Sequence, residues 1–119
     1  VKEMRTLGFT EREAIQAIVD LMRKQRLHLP VGQVVELELH EDPVSATLII
    51  EDDAGNQHRV SRNVAELAAS LVNYCIERKI RLPTMANKFV EVIAGSLNLI
   101  IYIDDVESAT SKKASTRRG

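Results

Sequence analysis

Two stretches of the chain carry an apolar stripe at helical spacing, and both run into the same dipeptide. Ile15, Ile18, Val19 and Met22 precede Leu29-Pro30, while Val64, Leu67, Ala68, Leu71, Val72, Cys75 and Ile76 precede Leu82-Pro83. Apolar positions at i, i+3, i+4 and i+7 define a helix with one face to bury. The proline pushes the residue before it into extended backbone, so neither helix passes it. Each segment also opens on a pair three residues apart, Thr10 with Glu13 and Asn63 with Glu66. In a capping box the two side chains satisfy orphan backbone N–H groups reciprocally. The first helix is therefore predicted from about Thr10 to Arg26, and the second from Ser61 or Asn63 to a point before Pro83.

Around the helices the period changes to two. Val35, Leu37 and Leu39 alternate with Glu36 and Glu38, the pattern of a strand with one wet face. After a turn at Glu41-Asp42-Pro43 comes the β-branched run Ala46 to Glu51, then the turn cluster Asp52 to Asn56 and a short strand, Gln57 to Val60. Lys88 to Ile93 and Leu97 to Ile103, joined by Ala94-Gly95-Ser96, read as a hairpin. The fold class predicted is α+β, order α-β-β-β-α-β-β, with an antiparallel sheet and both helices on one face. At 119 residues the chain has length for one core. Residues 1–107 are assigned to one domain. The Ser-, Thr-, Lys- and Arg-rich run from Ser108 to Gly119 is expected to be a disordered tail, having too little apolar surface to offset its ordering entropy.

An offset of 53 residues superimposes the helical segments, with Glu13 and Glu66, Val19 and Val72, Leu29 and Leu82, and Pro30 and Pro83 identical. Downstream, Val35-Glu36-Leu37 echoes Val90-Glu91-Val92, and Leu48-Ile49-Ile50 echoes Leu99-Ile100-Ile101. This is a weak internal repeat in which each half is a helix, a Leu-Pro corner and two strands. Convergence of two amphipathic helices on similar patterns is the competing explanation.

The chemistry-bearing residues are sparse. His28, His40 and His58 do not share a helix face, so they read as ordinary polar residues rather than metal ligands. Glu51-Asp52-Asp53 lacks the alternate-position ligands and closing Glu of a calcium loop and reads as a hairpin turn. Cys75, the one cysteine, lies on the second helix's apolar stripe near the C-terminal end, where the dipole disfavours a thiolate. Ser61 and Ser96 have no nucleophile-elbow context, and the five glycines form no phosphate loop. No catalytic, metal or cofactor site is assigned, and an enzyme is the third-ranked reading.

Sixteen Lys and Arg against seventeen Asp and Glu leave a net charge of -1, so no global field steers the chain to nucleic acid or an anionic membrane. Basic residues do cluster at the two helix ends, as Arg23 and Lys24 and as Arg78 and Lys79. The helix dipole favours cations there in any case. The sharper alternative is a phosphate-binding face formed by both ends, which makes a nucleic-acid-associated module the second reading. No segment reaches the ~18 apolar residues of a membrane span; no membrane partner is expected, and a cytoplasmic location is.

The leading reading is a non-enzymatic protein-interaction or regulatory module acting as a homodimer, with any further protein partner unidentified. It rests on the strand Leu97 to Ile103, which is apolar on both faces. Leu97, Leu99, Ile101 and Ile103 meet the helices, leaving Ile100 and Tyr102 to face something else. Ile49, if its strand is adjacent, extends them into a stripe that a twofold partner would bury.

Overall fold

The computed structural model describes residues 2–84 and 86–103. The chain runs β1 (Glu3–Phe9), α1 (Glu11–Lys24), β2 (Gln33–His40), β3 (Ser45–Glu51), β4 (Gln57–Asn63), α2 (Val64–Glu77), β5 (Asn87–Ile93) and β6 (Ser96–Ile103). It is an α+β fold with wholly antiparallel pairing. Both predicted capping boxes are formed. Thr10 Oγ1 accepts from Glu13 N (3.1 Å) while Glu13 Oε1 accepts from Thr10 N (2.9 Å). Asn63 and Glu66 do the same, both at 2.8 Å.

The helices also end alike, several residues ahead of the prolines. Arg26 and Lys79 both turn left-handed, at φ 59°. Leu27 N then donates back to Met22 O and Ile80 N to Cys75 O, each at 2.8 Å. These 6→1 bonds close a Schellman motif, which satisfies terminal carbonyls that would otherwise lack donors.

Two differences from the sequence-based expectation stand out. A strand, β1, precedes the first helix, and the strands divide into two three-stranded sheets rather than one. Sheet I has the order β1-β6-β5 and sheet II the order β2-β3-β4. Nothing in Glu3–Phe9 alternates cleanly, because Glu3 and Arg5 share a face with Leu7 and Phe9. The strand exists through its partner: β1 pairs with β6 along its whole length, Glu3 opposite Ile103 through Phe9 opposite Leu97.

With β1 in place the repeat becomes β-α-β-β taken twice, β1-α1-β2-β3 and β4-α2-β5-β6. Each unit lends its first strand to the other's hairpin: β1 completes the sheet of β5 and β6, and β4 that of β2 and β3. Helix contacts follow the same reciprocity. α1 touches β1, β2 and β6, whereas α2 touches the equivalent β4, β5 and β3.

One core serves both units, with Ile18, Leu48, Leu67, Leu71, Leu97, Leu99 and Ile101 fully buried. No helix among the described residues is long and apolar enough to cross a membrane. The tail predicted over 108–119, and the domain boundary at 107, lie outside the described residues.

Candidate functional site

Antiparallel partners share a face of the sheet, so the pairing fixes what each sheet shows on the side away from the helices. On sheet II, Glu36, Ile49 and Arg59 form one row and Glu38, Thr47 and Ser61 the next. Ile49 is only 2% exposed, because an ion pair between Arg59 on β4 and Glu38 on β2 spans the central strand beside it. Thr47 Oγ1 meets His40 Nε2 at 3.3 Å and Ser61 Oγ at 3.2 Å. Around Ile49 this face is finished with charge and hydrogen bonds, while Val35, at the β2 bulge beside Glu36, stays exposed.

The corresponding rows of sheet I are Phe89, Ile100 and Thr6, then Glu91, Asn98 and Gly8. A third row holds Asn87, Tyr102 and Met4. Ile100 is again buried, at 4%, but its neighbours are aromatic: Phe89 and Tyr102 pack edge to face with centroids 5.7 Å apart. Met4 (61% exposed), Phe89 (50%) and Tyr102 (43%) present their remaining surface to solvent. Across these three rows Glu91 is the one charged residue.

Of the three residues expected to form an apolar stripe, Ile100 and Tyr102 are neighbours on one strand. Ile49 is on the other sheet and does not adjoin them. Its place is taken by Phe89 and Met4, which sequence reasoning passed over. Phe89 alternates with Asn87 and Glu91, so its own strand carries no apolar run on that face, and Met4 belongs to the strand that lacked a pattern of its own.

The basic helix ends do come together, since the C-terminal turns of α1 and α2 are adjacent. Lys24 Nζ donates to Asn73 Oδ1 at 3.0 Å and lies 3.7 Å from Glu77. Arg78 lies 3.7 Å from Asp20, with its guanidinium carbon 3.7 Å from the Tyr74 ring centroid. Two of the four cations thus have carboxylate partners on the opposite helix. Arg23 and Lys79 form no ion pair among the described residues.

The remaining candidates are scattered. His58 Nε2 meets Asp52 Oδ2 at 2.9 Å in the β3–β4 turn. That contact and the backbone N–H of Asn56 hold the Asp52 carboxyl below its ordinary value near 3.8. Cys75 is buried, and desolvation pushes its thiol pKa up. Among the described residues no three His, Cys, Asp or Glu side chains converge as a metal site would require. Compared with known proteins, the chain matches no protein-family model, no curated sequence and no solved structure.

Proposed function

We propose that the chain is a protein-interaction module that pairs with a second copy of itself through the outer face of sheet I. The supporting observation is the contrast between the equivalent faces. Where sheet II places Glu36 and Arg59 beside its central isoleucine, sheet I places Phe89 and Thr6, with Met4 and Tyr102 in the next row. The same architecture accommodates a charged face, so the apolar one answers to something other than folding.

Size and charge favour a copy of the same face as the partner. At ~200 Å² for a large side chain, the exposed parts of Met4, Phe89 and Tyr102 come to roughly 300 Å², the scale at which patches on monomers tend to be functional. That area suits the apolar centre of an interface of about 800 Å² per partner, with Thr6, Asn87 and Glu91 as polar rim. A face with so little charge meets itself without stranding an unpaired ion, the condition an isologous contact imposes. Sedimentation equilibrium over the micromolar range tests the reading: a concentration-dependent rise to twice the chain mass is expected, and a single-chain mass throughout overturns it.

A further inference from the structure

The two units differ at a second equivalent place, where α1, β2 and the β5–β6 turn meet around a cleft of about 360 Å³. Its lining is mixed: Leu37 and Leu39 on β2 offer apolar surface and Glu11 and Ser96 polar atoms, over a floor of Phe9, Ala14 and Leu97 that is itself buried. The volume lies at the lower end of the range of small-molecule sites.

The other unit shows why the cleft is open. Ala14 and Leu97 correspond to Leu67 and Ala46, a large-for-small exchange that leaves their summed volume unchanged. The net difference lies in the hairpins. In sheet II four residues separate His40 from Ser45, and the last, Val44, packs against the core. In sheet I only Ala94 and Gly95 separate Ile93 from Ser96. Gly95 adopts φ +78°, and a Cβ built on it would meet nothing within 4 Å. The cleft thus opens beside a glycine where the other unit has a valine packed against the core.

Glu11 corresponds to Val64 in the other unit, so its charge is likewise no requirement of the fold. Its Oε2 accepts from Leu37 N on the open edge of β2 at 3.3 Å, while Oε1 has no hydrogen-bond donor among the described residues. We propose that this cleft binds a small apolar molecule bearing a protonated amine, with its body against Leu37 and Leu39 and its ammonium on Glu11. The positive end of α1 opposes a cation, but it amounts to about half a charge against the full charge of the carboxylate.

Amide NMR titration of the whole chain tests this with phenethylammonium and two isosteres of similar size, 3-phenylpropionate and 2-phenylethanol. The amine is expected to shift the amides of Ala14, Leu37 and Leu97 saturably, and to bind at least about tenfold more tightly than the carboxylate. Glu11→Gln, which keeps an acceptor for Leu37 N, should bring the amine down to the affinity of the alcohol. Ala14→Leu should weaken all three ligands by filling the cleft. Equal affinity for amine and carboxylate, saturable shifts elsewhere only, or an amine preference that survives Glu11→Gln would overturn the proposal.

Discussion

Leu71 and Asp52 mark the extremes of what a single side chain contributes here. Leu71 is fully buried at the centre of α2's inner face. Leu71→Ala removes several methyl and methylene groups from a site that cannot fully collapse, and should cost about 2–5 kcal/mol in chemical denaturation. A loss below about 0.5 kcal/mol, the scale of surface changes, would contradict that placement. Asp52 instead organises a surface turn: Oδ1 accepts from Ala54 N and Asn56 N, and Oδ2 meets His58. Because its folded pKa is depressed, what the carboxylate contributes is present above about 3.8 and is lost as pH falls through the lower folded value. Protection of the Ala54 and Asn56 amides, measured relative to their intrinsic exchange rates, should therefore fall only below that range. Asp52→Ala should show the lower protection already at neutral pH, and unchanged protection in the variant would remove Asp52 from that role.

At the scale of elements, the legible parts were those whose signal is local. Both helices, their capping boxes and the strands from β2 through β6 follow from spacing within a dozen residues. What escaped was relational. β1 carries two charged residues on its inner face and owes its existence to β6, nearly a hundred residues away. The split into two sheets depends on which strands leave an edge unpaired, which no local period records. The basic helix ends were visible as charge, but that Lys24 faces Glu77 and Arg78 faces Asp20 follows only from the packing of one helix on the other. With those partners in place, Arg23 and Lys79 are the two of the four cations without a carboxylate partner among the described residues, few for strong phosphate binding. Fluorescence anisotropy with a DNA duplex at physiological salt should show no measurable binding. A steep salt dependence, lost on changing Arg23, Lys24, Arg78 and Lys79 to Ala, would show the opposite.

Considered as a whole, the molecule is two β-α-β-β units that exchange first strands, closed over one core and unequal on their outer faces. Sheet II seals its central isoleucine under charge, while sheet I leaves an aromatic pair and a methionine in water. The inequality can be removed by substitution. Thr6 corresponds to Arg59 and Phe89 to Glu36, and Glu91 already stands where Glu38 does in sheet II. Thr6→Arg with Phe89→Glu therefore gives sheet I the charged pattern of sheet II while leaving the core untouched. Ile100, being buried, makes a less selective target, because its replacement would disturb the fold together with the contact. Sedimentation velocity of the wild type beside this double variant, with circular dichroism to verify the fold, decides whether sheet I is the pairing surface. The wild type should run at twice the chain mass in the high micromolar range and the folded double variant at the mass of one chain; a monomeric wild type, or a double variant that still pairs, would contradict it.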